Sequence, residues 1–530
     1  MAQLTGGQAL VAALAAHGVY TVFGIPGTHN LPVYAALAEH GIRHVSPRHE
    51  QGAGYAADGW ARVTGRPGVC LTTTGPAILN AAAAAAQAYS DSVPVLFVSP
   101  GLPLAHPGRG NGYLHEVKDQ RGAMDSVVRY SHRVTSVAEI PLAVAQAFAD
   151  MTGGRPRPVH LEVPLDLLDA RGDAEVVPPL PHALAAPAPG AVEAAAALLR
   201  TAERPLVIAG GGTRAAATEL GLLAERLGAP VVTTANGKGV LPADHPLAVG
   251  AGVHHPSVAR LAAESDVVLA VGTELAPSDF WVAPFATRGR LVRIDVDAVS
   301  IATNAVPDVA VVADAALALR AVLDVLGPSP ARAAARAAAA RDAFREDART
   351  EGAPWLGIVD GLARALGRDG VVAGDSAMVC YYGALSNLPA YAPSSFLYPT
   401  GLGTLGYGLP AAIGAKVARP EARVVALHGD GGVMFSIAEL AAAAELRLAL
   451  PVVVVDNGGY GEIRNEMDDR GDTVHAVALG SPDFAALGRA LGCHGVTLAD
   501  GSGLAEVLET AFAADRPTVV HVREHSRASR

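Results

Sequence analysis

Two short segments near the carboxyl end hold the residues best suited to chemistry. One reads His428-Gly429-Asp430-Gly431-Gly432 and the other Asp456-Asn457-Gly458-Gly459. Each follows an apolar, β-branched run, 423–427 and 451–455, of the kind that forms a buried parallel strand. Asp430 and Asn457 would then stand at the carboxyl ends of two strands, where open α/β sheets bind ligands. A carboxylate, a side-chain amide and a backbone carbonyl are all oxygen donors, and such a set suits a hard cation, Mg2+ or Ca2+. Glycines after Asp430 let backbone N–H groups approach a phosphate at the start of the next helix, expected over about 433–448. A Gly-Asp-Gly-Gly turn without any ligand is the alternative reading.

The elements that must position these residues repeat along the whole chain: a short β-branched run, a turn rich in Gly, Pro or Asn, then an Ala/Leu helix. Strands are expected at 22–24, 69–72 and 93–98, with helices at 8–16 and 49–63 between them. A Pro/Ala stretch at 178–189 reads as a linker, followed by strands at 205–209, 231–234, 266–271 and 290–295. An Ala/Arg helix at 331–349 reads as a solvated connector, followed by strands at 370–373, 423–427, 451–455 and 518–522. Strand–helix alternation implies parallel sheets with helices on both faces. The fold class expected is α/β, with three consecutive doubly wound parallel-sheet domains over 1–175, 190–330 and 350–530.

Composition narrows the function. Acidic residues outnumber basic ones 51 to 40, leaving no positive excess for nucleic acid or anionic lipid. Cys70, Cys380 and Cys493 lie too far apart in sequence for a zinc motif or a disulfide framework, so a reducing cytoplasm is expected. The first residues lack the basic stretch of a secretion signal. One segment, 376–415, contains no Asp, Glu, Lys or Arg, but prolines and glycines from Pro389 to Pro410 break it. A spanning helix needs about 20 mostly apolar residues. The segment therefore reads as a buried, loop-rich cofactor pocket rather than a membrane span.

Asn457 lies 27 residues beyond Asp430, and this spacing resembles the diphosphate-binding signature of thiamine-diphosphate enzymes. The family normally carries Asn-Asn at the second strand end; here the first Asn is Asp456. The resemblance implies a metal held by Asp430, Asn457 and the Gly459 carbonyl, with Ser376, Gly429, Gly431, Gly432 and Tyr460 around the diphosphate. Arg48-His49-Glu50-Gln51-Gly52-Ala53, with Ala57-Asp58-Gly59-Trp60-Ala61-Arg62, resembles the matching part of acetolactate synthase-like members. That match makes Glu50 the acid on the cofactor's pyrimidine ring, its pKa kept raised by an apolar pocket so that it can carry a proton. Phe23-Gly24-Ile25-Pro26-Gly27-Thr28 looks like the family's first substrate loop, and 74–80, with Thr74 and Asn80, like its Thr-Gly-Pro-Gly segment. The loop 401–410 looks like the one that bends the cofactor, with Gly403 offering a carbonyl and Leu405 wedged between the rings.

The central unit carries less. Its run Pro205 to Gly212 ends in three glycines without G-x-G-x-x-G. Where acetolactate synthases carry Arg-Phe-Asp-Asp for FAD, this chain reads Gly272-Thr273-Glu274-Leu275-Ala276-Pro277-Ser278, so FAD is not expected. His254-His255 reads as structural.

As for the reaction, the resemblance implies decarboxylation of a 2-oxo acid through an enamine, which is either protonated to an aldehyde or joined to a second 2-oxo acid. Thr28 is placed to hydrogen-bond a substrate carboxylate. His115, in the segment 113–120, and His29 are the candidates to protonate the enamine. Blocks 43–69 and 114–120 look most like 5-guanidino-2-oxopentanoate (2-ketoarginine) decarboxylases, whose guanidinium substrate needs a carboxylate partner, for which Glu462 is the candidate. The expected activity is a thiamine-diphosphate- and Mg2+-dependent 2-oxo acid decarboxylase. It is expected to be a homodimer or homotetramer with its active site at the subunit interface, without nucleic-acid or membrane partners. The alternatives are an acetolactate synthase-like carboligase and a non-catalytic member acting as a binding subunit.

Overall fold

The computed structural model describes residues 2–281, 284–327 and 335–524. It contains three six-stranded sheets, each wholly parallel, flanked by helices. The first sheet runs Arg43–Val45, Thr21–Gly24, Gly68–Leu71, Val95–Gly101, Val159–Pro164, Ser131–Arg133. The third runs Phe396–Leu397, Val371–Gly374, Val424–Gly429, Pro451–Asp456, Thr518–Arg523, His494–Leu498. Counting strands in chain order within each sheet, both have the order 2-1-3-4-6-5. The central sheet differs, running Ala248–Ala251, Val231–Thr233, Pro205–Ala209, Val267–Val271, Arg290–Asp295, Val309–Val312, or 3-2-1-4-5-6.

The topology decides where a ligand fits. In the first sheet the winding reverses between Thr21–Gly24 and Gly68–Leu71, and in the third between Val371–Gly374 and Val424–Gly429. A crevice opens beyond the carboxyl ends of such strand pairs. The first crevice is bounded by residues after 24 and 71, the third by residues after 374 and 429.

First and third units share one apolar core, built on the helices Glu50–Thr64 and Gly408–Ala418. The two helices touch backbone to backbone. A Cβ at Gly59 would lie 2.2 Å from the Ala411 carbonyl oxygen and one at Gly414 1.9 Å from that of Ala56, so no larger residue fits at either crossing. Beside this contact, buried Arg62 pairs with Asp58 at 2.7 Å and Asp91 at 2.8 Å and donates to Asn236 of the central unit at 2.9 Å. From the third unit, the Tyr407 hydroxyl donates to Asp58 at 2.6 Å and Gly401 N–H to Asp91 at 2.9 Å. A buried cation is retained only when anions surround it, and these anions tie all three units together.

Some expectations change. Residues 2–5 form an unexpected strand, Ala2–Thr5, antiparallel to Arg171–Ala174. The connector helix spans Ala335–Glu351; its expected start, 331–334, lies outside the described residues. The helix expected over 433–448 is broken into Asp430–Val433 and Glu439–Glu445. Between them the backbone tightens into i to i−3 bonds, Phe435 to Gly432 and Ser436 to Val433, which leave Glu439 facing the first unit. No described helix is long and apolar enough to cross a membrane.

Candidate active site

At the first crevice, the strand Thr21–Gly24 leads into Ile25-Pro26-Gly27 and a short turn, Thr28–Asn30. Asn30 pins it: Gly27 N–H donates to Oδ1 at 2.8 Å, and Nδ2 donates to the Ile25 carbonyl at 3.1 Å. Pro26 and Thr28 are exposed, whereas His29 is buried with Nδ1 3.1 Å from Thr74 Oγ1. His115 packs edge-on against His29, ring centres 4.9 Å apart, its own Nδ1 buried without a hydrogen-bond partner. Burial, and secondarily the neighbouring His115 ring, lower the His29 pKa from its ordinary value. Two residues that the sequence offered as separate candidates for one proton transfer thus form a pair.

Glu50 opens the helix Glu50–Thr64, where the dipole favours an acid, and its Oε2 accepts from Asn80 Nδ2 at 3.0 Å. The approach to this helix is held from the third unit. Buried Glu439 accepts the backbone N–H groups of Arg48 and His49 at 3.0 Å each. Burial pushes its carboxyl up to about 7. Nothing in Ser436-Ile437-Ala438-Glu439-Leu440 distinguishes Glu439 from an ordinary helix acid, so the sequence reading passed over it.

At the third crevice, buried Asp430 begins the single turn Asp430–Val433 after strand Val424–Gly429. Asn457 N–H donates to its Oδ1 at 3.4 Å, and Ser481 Oγ lies 3.4 Å from its Oδ2. Burial and the neighbouring charge of Asp456 raise the Asp430 pKa. The Asn457 Oδ1 is buried with no hydrogen-bond partner. An orphaned acceptor beside a carboxylate under like-charge pressure is the setting that a hard cation completes. Asp456, standing where the family carries Asn, is engaged elsewhere: its oxygens take Ser481 at 2.8 Å, His521 at 2.9 Å and Gly458 N–H at 3.0 Å. Burial raises its pKa, but these bonds prevail and hold the carboxyl below its ordinary value.

Around this pair, Gly459 bridges to Ala478, and the Tyr460 ring would lie 2.9 Å from a Cβ on Gly431. A Cβ on Gly432 would meet Asp375 Oδ2 at 2.4 Å and Leu405 at 3.5 Å, which keeps this turn bare of side chains and close to the bending loop. Gly403, exposed with φ +65°, and half-buried Leu405 sit on that loop. Fully buried Asp375, passed over although it directly follows a strand, is what fixes the loop. It accepts Gly406 N–H, Tyr407 N–H and His428 Nδ1, each at 3.0 Å. A residue ending an apolar run with Gly374-Asp375-Ser376 was the signal available. Ser376 and Tyr398 line one cavity.

Glu462 lies in the first turn of Gly461–Asp469, half-buried, and its Oε1 accepts the Tyr382 hydroxyl at 2.6 Å. It lines a cavity of about 350 Å³ that also reaches Ser376. The sequence-derived residues thus gather in two groups. Pro26, Thr28, His29, Glu50, Thr74, Asn80 and His115 belong to the first unit; the rest belong to the third. Among the described residues no hydrogen bond or ion pair joins Glu50, His29 or His115 to Asp430, Asn457 or Glu462. His254 and His255 are bonded to Glu351 at 3.2 Å and Ser386 at 2.9 Å, His254 at the edge of the cavity lined by Glu462.

Three thiamine pyrophosphate enzyme family models match: the N-terminal TPP binding domain over 4–123, the central domain over 192–322 and the C-terminal TPP binding domain over 376–522. The chain is 43% identical over 536 residues to a protein of Pseudomonas aeruginosa named probable 2-ketoarginine decarboxylase, covering 98% of this chain and 94% of that one. It is 35% identical over 551 residues to the acetolactate synthase large subunit of Parasynechococcus marenigrum, covering 98% and 88%. With the acetolactate synthase isozyme 2 large subunit of Escherichia coli the identity is 32% over 537 residues, covering 98% and 95%. A chain with both cofactor-binding modules, matched along nearly its full length, belongs to the thiamine pyrophosphate enzyme family.

Proposed function

We propose that this thiamine pyrophosphate enzyme is a Mg2+-dependent, non-oxidative 2-oxo acid decarboxylase, with 5-guanidino-2-oxopentanoate as its substrate. The observation that carries the decarboxylase reading is the His29–His115 pair, two imidazole rings 4.9 Å apart at the first crevice, where either can serve the proton transfer that ends in an aldehyde. When bound, thiamine diphosphate supplies the carbon nucleophile and the electron sink that 2-oxo acid decarboxylation requires. The chain's residues do the rest. Glu50, oriented by Asn80, is the acid for the pyrimidine ring, with Pro26 and Thr74 beside it. Asp430, Asn457 and the Gly459 carbonyl would hold Mg2+; Ser376, Gly429, Gly431, Gly432 and Tyr460 would line the diphosphate site, and Gly403 and Leu405 would contact the rest of the cofactor. Thr28 receives the substrate carboxylate, and His115 or His29 returns a proton to the product carbon. Glu462 in its cavity supports a cationic substrate end, as does the identity to a probable 2-ketoarginine decarboxylase.

The reading extends to assembly. The units 1–175, 190–330 and 350–530 act as domains of a cytoplasmic homodimer or homotetramer, in which the first unit of one subunit meets the third of another. Support comes from the two separate residue groups and from exposed apolar side chains around both: Leu31 at 53% and Leu114 at 60% on one side, Met434 at 47% and Phe435 at 55% on the other. The deciding experiment supplies a panel of 2-oxo acids with thiamine diphosphate and Mg2+ and measures CO2 together with the organic product. Aldehyde formed one-for-one with CO2 is expected. Pyruvate converted to 2-acetolactate, with no aldehyde from any larger 2-oxo acid, would establish instead the carboligase reading that the synthase relatives favour.

A further inference from the structure

The cavity beside Ser376 has a second wall that belongs to the central unit. From the third unit come Glu462, Tyr381 and Tyr382; from the central unit come Asp279 and Trp281, at the end of the short helix Pro277–Phe280. Its volume of about 350 Å³ lies within the roughly 300–1,000 Å³ usual for small-molecule sites. The aromatic rings are set against one another: Trp281 meets Tyr382 edge-on at 5.6 Å and Tyr381 at 6.1 Å, and stacks on His254 at 3.6 Å. Trp281 has φ +54°, an unfavourable conformation for a bulky residue, which ring packing on three sides maintains.

The charges in this wall are unbalanced. Asp91 and Glu274, near Asp279, each have a cation, Arg62 at 2.8 Å and Arg155 at 2.5 Å. Asp279 has none among the described residues, and burial together with those two negative charges pushes its carboxyl up to about 7. Glu462 takes only the Tyr382 hydroxyl, with no ion pair among the described residues. A half-buried carboxylate without a partner is unfavourable unless a cation is brought to it. A guanidinium is the cation that matches: planar, weakly hydrated, able to lie against aromatic faces while its edges donate to carboxylates.

We propose that Asp279 is a second specificity residue: with Glu462 it receives the guanidinium end of a cationic 2-oxo acid, against the flat walls made by Trp281 and Tyr381. This rests on the decarboxylase reading above and assigns the central unit a part in choosing the substrate. The test compares the cofactor-loaded enzyme on 5-guanidino-2-oxopentanoate and on 5-ureido-2-oxopentanoate, which has nearly the same shape but an uncharged end group. For Asp279→Asn, the ratio of the two kcat/KM values is expected to fall at least tenfold, through KM for the guanidino acid rather than through kcat. If that variant fails to fold, Asp279→Ser is read on the same ratio. A ratio within twofold of the parent's, while Glu462→Gln loses the preference, overturns the assignment of Asp279 and leaves the substrate reading standing. A parent enzyme that does not prefer the guanidino acid overturns both.

Discussion

Replacing Asp375 by Asn tests whether the bending loop is held from beneath by one buried carboxylate. In the parent, Oδ1 accepts Tyr407 N–H and Oδ2 accepts both Gly406 N–H and His428 Nδ1, all at 3.0 Å, at a residue with no exposed surface. An amide offers one acceptor instead of two. His428 can adapt by moving its proton to Nε2, which is buried and unpartnered. Neither backbone N–H can adapt, so whichever way the amide turns, one of them faces an NH2 group. A buried donor left unpaired costs about 1–3 kcal/mol. Loop 401–407 is partly exposed and can shift to relieve this without unfolding the sheet, so the cost falls on the state in which the loop is in place. If the bound cofactor requires that state, its affinity should fall by about five- to 150-fold, at 1.4 kcal/mol per tenfold. The assay titrates thiamine diphosphate into Mg2+-saturated apoenzyme, following tryptophan fluorescence and recovered activity, with circular dichroism to verify folding. A folded Asp375→Asn enzyme that binds the cofactor within twofold of the parent would refute the reasoning.

Three further outcomes follow from the same geometry. Glu439 has its carboxyl raised from the ordinary 4.5 to about 7, so its contribution to stability is complete below about 4.5 and is lost as pH rises through 7, by at most about 3 kcal/mol. Melting temperatures at pH 5 and pH 8 should therefore drop more in the parent than in Glu439→Gln, and equal drops would contradict the buried clamp. Glu50→Gln should lose at least about 100-fold in kcat while cofactor affinity changes only a few-fold, the mark of a lost acid–base group; activity equal to the parent's removes Glu50 from the mechanism. Asp430→Asn should need more than tenfold more Mg2+ for half-maximal activity, measured by titration after removal of metal with a chelator, and an unchanged requirement would place the metal elsewhere.

How much of this was legible depended on the range of the cause. The central strands Val424–Gly429 and Pro451–Asp456 are buried on both faces, so apolar, β-branched runs announce them and place Asp430 and Asn457 at their ends. Glu50 was legible because the segments that carry the family resemblance, 48–53 and 57–62, are contiguous in the chain. The edge strands Arg43–Val45 and Ser131–Arg133 were not: three residues long and partly polar, they are strands because a neighbour offers an unfilled ladder. The broken helix after Asp430, the clamp from Glu439 to Arg48 and His49, the grip of Asp375 on the loop and the meeting of His29 with His115 all join residues remote in sequence. Asp279, without an ion-pair partner among the described residues, belongs with them, since it lies just past the segment 272–278 that showed only what it lacked. By itself the sequence determined the family, the three parallel sheets and the residues whose task follows from standing at a strand end. Tertiary structure alone decided which side chains face one another, because a carboxylate's partner, burial and charge are properties of the space around it, and that space is filled by chain hundreds of residues away.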